Sequence, residues 1–311
     1  MHTAVPPRLA HALKHGTQES HRAAENVHFI REFIRGRISR DLYRVLVAML
    51  YYVYTELETQ MRAAAATQNV IVTPLHFPAQ LERVAALAAD LAFYYGPTWQ
   101  AAMPPPSRAT AAYVARLRFL GETAPSLLLA HAYTRYMGDL SGGQILKRTA
   151  IKAMQLEDGQ GTGFYDFDMP HKAFKDQYRR ALDDLPATPE MAAMLVQEAN
   201  VAFLLNMAVF EELDVMGGLG SEGDQRQHAV TAKRRWTGVC PFASLVGQPG
   251  VAQLALKYHG DDLSAEDMAD LRAAYIAEQD EHRQLQLKSL AMSLTALGIA
   301  IGFGIVFRRF A

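Results

Sequence analysis

Apolar residues recur at helical spacing along most of this chain, and strand-like alternation is almost absent between residues 8 and 216. Leu42, Val45, Leu46, Met49, Leu50, Val53 and Leu57 form one broad apolar face, and Val201, Leu204, Leu205, Ala208, Val209 and Glu212 repeat the same period. Proline and glycine break the pattern near Pro74 to Pro78, Gly96-Pro97, Pro104 to Pro106, Gly159 to Gly163 and Pro186 to Pro189. The pattern predicts an all-α multi-helix bundle over 1–216 with loops at those breaks. After Leu213, glycines at 217, 218, 220 and 223 and a polar stretch to Arg235 open a predicted linker over 217–288, with a short helix from Ser264 to Gln286.

The last apolar run is of another kind. Ser289 to Phe307 carries no charge between Lys288 and Arg308-Arg309, and as a helix it is long enough to cross roughly 30 Å of hydrocarbon. A transmembrane tail anchor over 289–307 is therefore predicted, with the body of the chain on the cytosolic side. Gly298 and Gly302 form one small-xxx-small pair, a weak signal for dimerisation through the anchor. Met1 to Lys14 has no apolar h-region, so no secretory leader is read there.

Composition narrows the classes. Thirty-one Lys and Arg face thirty-two Asp and Glu, which gives no general attraction to nucleic acid. A single cysteine, Cys240, excludes an internal disulfide framework and fits a reducing compartment.

Candidate chemistry gathers in Tyr133-Thr134-Arg135-Tyr136-Met137-Gly138-Asp139-Leu140-Ser141-Gly142-Gly143-Gln144. Three glycines within six residues of a helix cost about 1 kcal/mol each relative to alanine. Such glycines mark a close approach of the backbone, either to a neighbouring helix or to a flat ligand, or else a simple break in the helix. Asp139 beside them tilts the reading toward a ligand whose overlying water it orders, without saying which ligand. His21 is a second candidate, because a neutral imidazole needs a polar partner on its other nitrogen when it binds a metal, and Glu25 lies one turn on. Composition alone does not choose it over His11, His15 or His28.

Several segments occur together and in order: Leu13-Lys14, His21 and Glu25-Asn26 at the start, Phe93 to Gln100, the Gly138 to Gln144 run after Tyr133 to Tyr136, and Ala202 to Leu213. In this the chain resembles the heme oxygenases of animals across residues 8 to 216. The resemblance implies an enzyme that opens heme at the alpha-meso carbon to biliverdin, carbon monoxide and iron. Heme serves as both substrate and oxygen-activating cofactor, and O2 is consumed with electrons from NADPH.

Carried over position by position, the resemblance implies His21 as the iron ligand with Glu25 behind it. Gly138 and Gly142 become the glycines that lie against the heme face, and Asp139 the carboxylate that holds the distal water. Lys14, Tyr133, Lys175 and Arg179 match propionate partners, and Tyr54, Arg135, Phe203, Asn206 and Phe210 match the pocket wall and its hydrogen bonds. Lys175 and Arg179, one turn apart, suit two propionates physically, although alone they read as a solvated face, and the two phenylalanines alone read as core.

No nicotinamide or flavin motif is present, and the resemblance implies NADPH–cytochrome P450 reductase as electron donor, with biliverdin reductase as a further partner. It favours the endoplasmic reticulum membrane, while Arg308 and Arg309 leave the mitochondrial outer membrane as the alternative. Cys240-Pro241-Phe242 resembles the heme-regulatory motif of the constitutive animal isoform, against the plain reading of a free thiol. Two rivals stay open at this point: a heme sensor or store without turnover, and a tail-anchored structural helical protein.

Overall fold

The computed structural model describes residues 8–219, and among them there are helices and turns but no strand. The helices are α1 (Leu9–Gly16), α2 (Gln18–Glu25), α3 (His28–Ile34), α4 (Arg40–Ala66), α5 (Pro78–Leu81), α6 (Val84–Tyr95), α7 (Trp99–Ala102) and α8 (Arg108–Thr123). They continue as α9 (Leu128–Asp139), α10 (Gly143–Met154), α11 (His171–Asp183) and α12 (Pro189–Gly217). Every predicted break falls in a connection between α-helices or at the first residue of one, that at Gly159 to Gly163 lying in the long link between α10 and α11. The predicted linker, its Cys240 motif and the predicted span over 289–307 lie outside the described residues.

Two long helices organise the bundle. Ser39 starts α4 by accepting from the Leu42 amide at 3.1 Å, with Asp41 in the first turn. The predicted apolar face of α4 is buried at Leu42, Leu46, Met49, Leu50, Val53 and Leu57, leaving only Val45 partly open. That face packs on α6, α8 and α9. Thr188 caps α12 by accepting from Met191 N at 3.2 Å, Pro189 occupies the first turn, and Gly218 closes it at φ +55°.

Around α12 stand α1, α2, α3, α4, α8 and α9. Its composition alone would let it cross a membrane, yet half of its most apolar window is buried inside the bundle. Its polar side chains are tied to neighbouring elements: Glu198 to Arg116, Asn200 to Ser20, Asn206 to Arg135, and Glu212 to the Ala109 amide. It is the core helix of the bundle. At Gly16 a β-carbon would stand 2.3 Å from Val196 Cγ1, so only glycine lets the end of α1 lie so close to α12.

Candidate active site

The glycine-rich segment is not a continuous helix. α9 ends at Asp139 and α10 begins at Gly143, with Ser141 N donating to Gly138 O at 3.1 Å across the break. Gly138 and Gly142 are exposed. A β-carbon on Gly138 would meet nothing within 4 Å, and one on Gly142 only the Gly138 carbonyl at 3.9 Å. Close packing against a neighbouring helix is therefore removed for both, while the simple helix break is present and a flat ligand stays open. Gly143 is different: it is buried, and its β-carbon would press on Tyr165 at 3.2 Å.

Asp139, next to that bare backbone, turns inward and is 7% exposed. Tyr54 on α4 donates to its Oδ2, Arg135 Nε donates to the Tyr54 hydroxyl at 3.1 Å, and Arg135 Nη1 donates to Asn206 Oδ1 on α12. The guanidinium also lies over the Tyr54 ring, 5.1 Å from its centroid. Residues 54, 135, 139 and 206, far apart in sequence, thus form one hydrogen-bonded chain across three helices. Burial pushes the Asp139 carboxyl upward, opposed by the charge of Arg135, the Tyr54 hydrogen bond and Arg83. Burial likewise drives Tyr54 well above the usual phenol range, while it works against the Arg135 charge and is outweighed there by Tyr54 and Asp139.

The structure separates the N-terminal histidines. His11 and His15 face each other with ring centroids 4.0 Å apart, and His28 Nδ1 pairs with Asp214 at 2.8 Å. His21 stays half-exposed on α2, its ring edge-on to Phe203 at 5.8 Å and its Nδ1 3.7 Å from Glu25 Oε2. Phe203 and Asn206 share one turn of α12, so that turn meets both the His21 ring and the Arg135 network. Phe210, two turns on, is buried and stacks on Phe29 at 5.5 Å, which makes it part of an aromatic core with Phe33 and Tyr43.

The cations sit less uniformly. Lys175 Nζ holds the break itself, donating to Ser141 Oγ at 2.9 Å. Arg179 is exposed, pairs with Asp176 at 2.7 Å, and is close enough to Tyr133 to lower its hydroxyl against a larger upward push from burial. Lys14 is exposed on α1, which packs on α11, the helix of Lys175 and Arg179.

Sequence reasoning missed a second buried polar group. Arg116 on α8 donates from Nε to Glu198 Oε1 on α12 at 2.9 Å, and His131 Nε2 on α9 meets the same oxygen at 2.8 Å. All three are at most 2% exposed. The available signal was a charged residue on the buried face of α12, between Leu195 and Ala202, and a histidine inside the apolar run from Leu127 to Ala132.

A family model described as heme oxygenase matches residues 7–212. The chain belongs to the heme oxygenase family. Heme oxygenase 1 of Rattus norvegicus is 48% identical over 212 residues, which is 67% of this chain and 72% of that relative. The heme oxygenase of Guillardia theta is 45% identical over 209 residues, 67% of this chain and 86% of its own length. Among solved structures, heme oxygenase-2 of Synechocystis, in complex with heme and NO, aligns with a TM-score of 0.66 at 40% identity, covering 72% of this chain and 91% of that one. Such scattered organisms share the heme oxygenase segment, so that segment does not by itself assign an isoform.

Proposed function

We propose that this chain binds heme between His21 on α2 and the bare backbone around Gly138, and opens it at the alpha-meso carbon to biliverdin. The observation that carries this reading is the buried Asp139 network standing directly beside a glycine whose β-carbon position is open. The residues suit the group: a half-exposed imidazole offers an iron ligand, glycine surface suits a flat ring, and Lys14, Tyr133, Lys175 and Arg179 offer donors for two propionates. Heme, as substrate, supplies the iron at which O2 is activated.

The chain's own residues then divide the work. His21 orients the iron, with Glu25 able to fix its tautomer through Nδ1. Gly138 and Gly142 keep side chains off one face of the ring. Asp139, held by Tyr54 and close to the Arg135 charge, orders water over that face and hands on protons. Electrons come from NADPH through a membrane-bound reductase, NADPH–cytochrome P450 reductase. The 289–307 segment, as an anchor in the endoplasmic reticulum membrane, brings the two enzymes into one plane.

The test is heme titration followed by turnover with NADPH and reductase, reading biliverdin and carbon monoxide. The parent is expected to form a Soret band and both products. His21→Ala is expected to lose turnover, and Asp139→Ala to keep the Soret band while losing biliverdin. A parent that binds heme without forming biliverdin is a sensor or store. A parent without a Soret band removes the heme reading altogether.

A further inference from the structure

The helix that carries His21 has little of its own to hold it. α2 has eight residues, none of them buried, so no apolar face seats it in the core, and a helix that short is marginal alone in water. It parts from α1 at Thr17, whose φ of −110° and ψ of 6° interrupt the helical turn. Its direction is fixed instead by side chains of α12.

At the start of α2, Asn200 reaches both sides of that break. Its Nδ2 donates to the Gly16 carbonyl at the end of α1 at 3.0 Å and to Val196 O on its own helix at 2.9 Å, while its Oδ1 accepts from Ser20 Oγ on α2 at 2.6 Å. One amide thus holds α1 and α2 at a set angle, and Ser20 is the residue next to His21. Just past the end of α2, His28 Nδ1 donates to the Asp214 carboxylate at 2.8 and 3.0 Å, between side chains no more than 18% exposed. Between the two ties, Phe203 lies edge-on to the His21 ring. Val196, Asn200 and Phe203 follow one another on one face of α12, and Asp214 returns to that face about three turns on.

We propose that Asn200 and Asp214 are positioning residues for His21: they tie α2 to α12 at both ends and so set how the imidazole meets the heme iron. The iron-ligand role of His21 rests on the function proposed above, whereas the ties themselves do not.

The two sides of each tie differ in stiffness. Asn200 stands between Ala199 and Val201, both fully buried, and Asp214 follows Leu213, which is buried as well. Gly16, pressed against Val196, leaves no room for α1 to shift inward. Losing a tie therefore moves α2 and leaves α12 in place. The His21 side chain is more than half exposed, so few neighbours constrain its ring and its direction follows the backbone of α2.

The experiment reads amide hydrogen exchange on the full-length chain without heme, and the iron–histidine stretching band by resonance Raman on the ferrous, heme-loaded chain. Asn200→Ala and Asp214→Ala are each expected to speed exchange within α2 about tenfold while α4 stays as in the parent, and to shift or broaden the iron–histidine band. Asp214→Asn, which keeps an oxygen for His28 Nδ1, is expected to restore both. Ser20→Ala is expected to speed α2 less than Asn200→Ala does, because the bond to Gly16 stays. Variants whose α2 exchanges like the parent's, or in which α2 and α4 speed up together, overturn the ties. A parent-like iron–histidine band in variants with a loosened α2 overturns the positioning role. A parent that binds heme without such a band overturns the ligand reading of His21, and with it the positioning role, while exchange still decides the ties.

Discussion

At Gly138 a methyl group would enter open space, whereas at Gly161 it would stand 2.5 Å from the Tyr94 hydroxyl on a backbone at φ +75°. The two glycines carry opposite expectations. Gly138→Leu is expected to leave the heme-free melting temperature near that of the parent while weakening heme binding by at least about tenfold, or about 1.4 kcal/mol. Gly161→Ala is expected to do the reverse, lowering stability by about 1 to 3 kcal/mol through strain and clash, with heme affinity preserved in the protein that folds. Thermal unfolding without heme and a Soret titration separate the two. The same contrast explains what sequence could say at this scale. A glycine's spacing does not tell which neighbour required it, and His21 among the early histidines was chosen by resemblance, because Phe203 lies 182 residues away and leaves no local mark near His21.

Between elements, α9 and α12 are joined by two polar rungs one turn apart along α9: His131 to Glu198, and Arg135 to Asn206. The first rung braces the helix that presents the second. Glu198 is held at about 2 because Arg116 and the His131 hydrogen bond outweigh the cost of burying its charge. Its folded pKa is depressed, so the stability it confers is full above the ordinary value of 4.5 and lost as pH falls toward 2. The swing is about 3 kcal/mol. Glu198→Gln is expected to destabilise the chain at neutral pH by about 3 kcal/mol and to flatten the acid limb of its stability, both read from urea unfolding at a series of pH values; an acid limb as steep as the parent's would deny Glu198 this role. The helices themselves were legible, since their apolar periodicity and the proline and glycine breaks are local. The Glu198 rung was not, because its partners lie 67 and 82 positions away and a lone charge in an apolar stripe does not name its partner.

Over the whole molecule, hydropathy marks two candidates for a membrane, α12 and the 289–307 segment, and burial speaks against the first. A chain ending at Leu219 is therefore expected to stay in the aqueous phase on detergent partitioning while the full chain enters the detergent; partitioning of the short chain would move membrane contact to α12. The stability of the helical body should then depend on pH in a way that its buried acids decide. Burial raises Glu58 to about 7 and Asp90 to about 6. For a group raised in the folded state, stability is full below the unfolded value, near 4.5 for Glu58 and 3.8 for Asp90, and is lost as pH rises through the folded one. These two acids therefore oppose Glu198 and place the stability maximum on the acid side of neutral. Glu58→Gln keeps an oxygen for the Arg83 and Val84 amides but cannot ionise. It is expected to remove about 3 kcal/mol of the loss that the parent suffers between pH 5 and pH 8, measured as the difference between the two urea-unfolding curves. A slope between those values equal to the parent's would mean that Glu58 is already ionised in the folded chain.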